Sequence, residues 1–163
     1  MKSKTILQIH SASTAIIAGL SLFFLIVGGM LIECLFSGAD LFSIGYTAGT
    51  AADIGKLISR SIYYLFILAI LATAFMMFRF IRRENTPFLP VVSKCIKIIG
   101  GLVMFASPIS RWTGDIVAFF ALESIVICND SDIIGIFIGG IFACLAIIFE
   151  YGCLLQTQDD ETL

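Results

Sequence analysis

The sequence predicts an all-α integral membrane protein, a four-helix bundle that crosses the bilayer four times with both ends in the cytoplasm. Three observations carry that prediction. Hydrophobic residues make up 59% of the 163-residue chain and charged residues only 13%, with a mean hydropathy of +1.03. A soluble domain has about a quarter of its residues charged, so in water this chain would lack the polar surface to cover its exterior; lipid removes that need. Four continuous apolar windows each approach or exceed the roughly 20 helical residues that a core of about 30 Å requires. Lysines and arginines, finally, fall unequally on the two sides that four crossings would create.

The first span is expected at Thr14–Phe36. Its run is longer than the roughly 7–15 residues of a cleaved signal core and ends without a small-x-small site, so a retained anchor is expected. An outer loop at 37–60 follows. The second span covers Ser61–Phe80, with Asp53 as the cap of a helix that starts ahead of the membrane. Pro87 and Pro90 lack backbone donors and bias their predecessors away from α, which predicts an inner loop at 81–94. The third span is placed at 95–112 and an outer segment at 113–132. Within that segment Ile116–Cys128 is apolar but short and interrupted by Glu123. It reads either as an interfacial helix or as an extension of the third helix, broken near Pro108. The fourth span covers 133–155 and leaves a cytoplasmic tail at 156–163. Together they form one membrane domain. Strands are disfavoured because the windows are continuous runs, not alternating short segments, and a span in lipid must satisfy its own backbone groups.

Orientation follows from the basic residues. Lys2, Lys4, Arg79, Arg82, Arg83, Lys94 and Lys97 fall on one side and Lys56, Arg60 and Arg111 on the other. That bias places the N-terminus, the 81–94 loop and the C-terminus inside, in a cell (cytoplasmic) membrane.

Several functions are not encoded in any recognisable pattern. The net charge of −2 offers no electrostatic basis for direct nucleic-acid binding. The five cysteines form no C-x-x-C, and His10 is remote from them in sequence, so no metal site is expected. No H-E-x-x-H or D-x-D set and no glycine-rich phosphate loop is present, so neither catalysis nor a cofactor is expected. Cys34 and Cys128 are the one pair that this topology brings to the outer side.

The candidate sites cluster on the inner side. Glu150 and Arg79 sit at similar depth and read either as a latch or as ordinary interfacial charges, a buried carboxylate being costly in lipid. Arg79, Arg82, Arg83, Lys94 and Lys97 set topology and touch anionic lipid; the sharper reading adds Gln156 and Asp160 from the tail as a face for a cytoplasmic partner. Gly28, Gly29, Gly100, Gly101, Gly135 and Gly139 are candidates for close helix packing, within the chain or in a homo-oligomer. Glu33 and Arg111 read as interface anchors or as the lining of a passage.

Two stretches carry a family resemblance. Arg79-Phe80-Ile81-Arg82-Arg83, then Thr86-Pro87-Phe88 leading to Lys94, Lys97 and Ile98-Ile99-Gly100, resembles the inner loop of a bacterial four-span family. So does the ending with Gly152, Leu155, Gln156, Asp160 and Thr162. That family is known only as a domain of unknown function, DUF2975. The chain departs from its pattern at Leu154 and Gln158, where the family tends to carry Glu, and at Thr86, near its usual Gly. The resemblance implies a four-span membrane protein encoded beside small helix-turn-helix regulators, and hence a regulator as partner. The expected function is a small membrane sensor or accessory protein that binds such a cytoplasmic partner. The alternatives are a subunit of an oligomeric transporter or channel, and a toxin-immunity-type membrane protein.

Overall fold

The computed structural model describes residues 2–43, 48–84, 86, 88–122 and 133–161. The chain is all-helical: α1 spans Lys2–Ser43, α2 Ala48–Glu84, α3 Pro90–Leu122 and α4 Ile133–Glu161. Each contains a segment long and apolar enough to cross a membrane, namely His10–Phe36, Gly55–Glu84, Pro90–Val117 and Ile134–Leu155. The helices outrun these segments. At 1.5 Å per residue, α1 is about 63 Å long, twice a hydrocarbon core of about 30 Å.

That excess length corrects the expected loops. Residues 37–43 and 48–60 belong to helices, so most of the expected outer loop is helical, and Asp53 lies inside α2 instead of capping it. The expected inner loop contracts to the link 85–89. Ile116–Leu122 continues α3, and the remainder of the outer segment, with Glu123 and Cys128, lies outside the described residues. Pro108 sits within α3 without ending it. Nearby, Ser110 Oγ donates to the Ser107 carbonyl at 2.9 Å.

Packing runs strictly along the chain. The backbones of α1 and α2, of α2 and α3, and of α3 and α4 approach within 8 Å, and no other pair does among the described residues. The helices therefore form a row in which each is antiparallel to the next, and α4 does not close onto α1. The most buried span is that of α3, 39% of whose apolar window is inside the protein against 6% for α1 and 11% for α4. Val92 and Ile96 of α3 and Ala146 of α4 form the buried core, flanked by Met77 and Ile81 of α2 and by Phe142 and Phe149 of α4.

Small residues set the closest approaches. A β-carbon added at Gly139 would stand 2.7 Å from Met104 Cβ and 2.8 Å from the Gly100 carbonyl oxygen. One added at Gly100 would stand 3.0 Å from Phe142 Cβ and 3.2 Å from the Gly139 oxygen. The two glycines thus face each other across α3 and α4, and Gly135 approaches the Val103 carbonyl in the same seam. Helices that pack in lipid gain from such backbone proximity, because apolar tails already solvate ordinary side chains. A second seam joins α2 to α3, where a β-carbon at Gly114 would lie 2.8 Å from both the Gly55 oxygen and Ser59 Cβ. Gly28, Gly29 and Gly101, grouped with the others on sequence, meet nothing within 4 Å.

Polar groups inside the row are satisfied across seams or locally. Ser93 Oγ, buried, donates to the Ala146 carbonyl at 3.0 Å. The free, buried thiol of Cys34 on α1 lies 3.4 Å from Ser61 Oγ and 3.7 Å from the Leu57 carbonyl on α2. The second half of the Cys34–Cys128 pair lies outside the described residues.

Candidate functional site

One end of the row collects most of the chain's cations. It is formed by the start of α1, the end of α2, the link 85–89, the start of α3 and the end of α4. The sequence builds the turn from its prolines. Pro90 occupies the first helical position of α3, where its missing N–H costs no hydrogen bond. The Leu89 carbonyl then accepts from Val92 N at 2.9 Å and from Ser93 N at 3.3 Å. Ahead of it, Phe88 N donates to Thr86 Oγ1 at 3.3 Å.

Phe88 fastens this link to α4. Its ring lies so close to Gly152 that a β-carbon there would stand 2.8 Å from the ring edge, and its centroid is 5.9 Å from that of Phe149. Neither residue was singled out as a packing contact in the sequence. An aromatic after a proline and a glycine between two and three turns from a helix end are each unremarkable until the fold brings them together.

Glu150 is paired, but not with Arg79. Lys97 Nζ lies 2.7 Å from Glu150 Oε2, joining α3 to α4. The expected latch fails because Arg79 lies on the face of α2 turned to α1, away from Met77 and Ile81, which flank the core shared with α4. Arg79 instead faces α1, lining a cleft of about 550 Å³ with His10, Ile17, Phe75, Arg82 and Arg83. Both partners of the Lys97–Glu150 bridge are about half exposed, 49% and 55%, and lie toward the basic ends of their helices. Its coupling in a double-mutant cycle of Lys97→Gln and Glu150→Gln is expected below about 1 kcal/mol. Arg79→Gln and Glu150→Gln are expected to be additive within roughly 0.5 kcal/mol. A larger coupling between Arg79 and Glu150, read from thermal unfolding in detergent, would contradict this arrangement.

The cations thus divide into two groups. Arg79, Arg82 and Arg83 line the α1 side, with Arg83 Nε also 3.6 Å from Glu84 Oε1. Lys97 faces α4, and Lys94 is exposed on α3. Gln156 and Asp160 lie on the last turns of α4, and their side chains are outside the described residues. Glu33 and Arg111 sit on α1 and α3, helices whose backbones do not meet. No group of three or more His, Cys, Asp or Glu that could hold a metal exists among the described residues. What this end offers chemically is exposed positive charge framed by an aromatic link.

Comparison with protein-family models, with curated proteins and with solved structures finds no match for this chain.

Proposed function

We propose that the chain is a small multi-pass sensor or accessory protein of a bacterial cytoplasmic membrane, which binds a cytoplasmic protein at its basic end. In this reading both termini and the link 85–89 lie in the cytoplasm, as the bias of lysine and arginine favours. One observation carries it. Helix α4 does not stop where its apolar window ends at Leu155 but continues to Glu161, about 9 Å farther, with Thr157 and Gln158 exposed. It does so at the same end as exposed Arg82, Arg83 and Lys94. A polar, acidic helical extension at the basic end is a surface that a cytoplasmic partner could grip.

Kinship with the DUF2975 family is part of this proposal, and with it a small helix-turn-helix regulator as the partner. The switch would be a shift of α4 along the Gly100–Gly139 seam, which carries the extension toward or away from the arginines. The test is affinity capture from native membranes in mild detergent through an N-terminal tag, with a chain lacking 156–163 as comparison. A defined cytoplasmic protein retained by the full chain and reduced at least tenfold by the deletion is expected. Equal recovery with both chains would contradict the proposal.

The second reading, a subunit of an oligomeric transporter or channel, draws on the uncovered outer faces of α1, including Gly28 and Gly29. A row of helices encloses no path alone, so this reading requires self-association. A monomer in mild detergent that conducts nothing in liposomes would remove it.

A further inference from the structure

The seam between α1 and α2 holds two adjoining cavities, and its character changes along its length. Toward the middle of the spans it is a groove of about 460 Å³ walled by Leu20, Phe24 and Leu25 of α1 and by Leu71, Ala72 and Met76 of α2. Ser21 is its one polar wall residue, and that hydroxyl is already spent on the Ile17 carbonyl at 2.9 Å. Phe75 lines both this groove and the cleft that holds Arg79, Arg82, Arg83 and His10. The two cavities are therefore neighbours along one seam, apolar inward and cationic at the basic end. From Ile17 to Leu25, α1 rises about 12 Å, close to half of a hydrocarbon core of about 30 Å.

Charge is not balanced from within. Arg79 and Arg82 have no carboxylate partner among the described residues, and Arg83 has only its exposed neighbour Glu84. The facing part of α1 cannot supply one, because residues 2–32 contain no Asp or Glu. An anion attached to an apolar chain fits both halves at once. Guanidinium groups bind phosphate oxygens through paired N–H donors, and basic residues at the inner membrane surface favour anionic headgroups.

We propose that the α1–α2 seam is a binding site for one anionic glycerophospholipid. Its phosphate sits among Arg79, Arg82, Arg83 and His10, and an acyl chain fills the groove between Leu20–Leu25 and Leu71–Met76. This lipid wedges the two helices at their seam, complementing glycine contacts that hold the rest of the row. The inference rests on the membrane reading and is independent of any protein partner.

Native mass spectrometry of the full chain in mild non-ionic detergent tests it, with phosphatidylglycerol and phosphatidylcholine of identical acyl chains offered at equal concentration. Bound phosphatidylglycerol is expected to exceed phosphatidylcholine about tenfold. Joint substitution of Arg79→Gln, Arg82→Gln and Arg83→Gln should bring that ratio near one. Ala72→Phe, which fills the apolar groove and leaves the arginines in place, should reduce occupancy by either lipid. Equal binding of the two lipids by the unsubstituted chain would overturn the proposal, as would a preference that survives the triple substitution. Inorganic phosphate that displaces the lipid at matched concentration would also overturn it, by showing a phosphate site without a groove. Release of the chain from membranes by alkaline carbonate would refute the membrane reading itself. A chain that stays in the membrane but shows no preference for phosphatidylglycerol refutes the lipid site alone.

Discussion

Gly139→Leu is expected to be the most damaging single substitution in the chain. The new side chain would begin at a β-carbon 2.7 Å from Met104 Cβ, 2.8 Å from the Gly100 oxygen and 3.0 Å from Met104 Cα. All three of those atoms are backbone or fixed to it, so no rotamer change relieves the clash, and α3 and α4 must separate. Overpacking costs roughly 1–3 kcal/mol where side chains can adjust; with backbone on both sides the upper end or beyond is expected. Separation also stretches the Ser93–Ala146 hydrogen bond and the Lys97–Glu150 bridge, which lie in the same seam. In thermal unfolding in detergent, the midpoint should fall by about 5–10 °C. Gly28→Ala and Gly101→Ala provide the contrast, since nothing lies within 4 Å of either. Each should leave the midpoint unchanged or raise it, because alanine is the better helix former by up to about 1 kcal/mol. Equal losses at Gly139 and Gly28 would contradict the packing order.

Gly114→Leu should be the second most damaging, through the other seam. A β-carbon there would stand 2.8 Å from the Gly55 oxygen and 2.8 Å from Ser59 Cβ, so α3 is forced away from α2 near the end opposite the arginines. A loss of about 2–3 kcal/mol is expected. The two substitutions act on different pairs of helices, and their combined loss should be close to the sum. Strong non-additivity would mean that α2 and α4 communicate more directly than a row allows.

Why these two glycines and not others was beyond the reach of the sequence. Gly28-Gly29, Gly100-Gly101 and Gly139-Gly140 look alike as dipeptides in apolar runs, yet only one member of the last two pairs meets a neighbouring helix. Hydropathy reports how deep a residue sits, not which helix stands beside it. The same gap explains Glu150. Depth alone pointed to Arg79, but Arg79 faces α1 and Glu150 meets Lys97 instead. By contrast, the four long apolar helices were legible, because twenty or so continuous apolar residues are long enough to cross a hydrocarbon core as one helix. The loops were drawn too long for a related reason. Polar residues such as Asp40 and Asp53 interrupt the apolar runs, and a helix need not end where its apolar run does. Phe88 against Gly152 was invisible because it joins residues far apart in the chain. The divided arginine and lysine groups were read as one patch, since sequence gives their shared end and not their separate faces.

The proposed function requires above all that the basic end lie in the cytoplasm with both termini. Single cysteines introduced into a cysteine-free chain at Thr86 and Gln158, and separately at Gly45 and Asn129, measure this directly through a membrane-impermeant maleimide applied to intact cells. Labelling is expected at Gly45 and Asn129 in intact cells, with Thr86 and Gln158 reacting only after the membrane is opened. Labelling of Thr86 or Gln158 from outside would invert or break the four-span arrangement and remove the cytoplasmic partner with it.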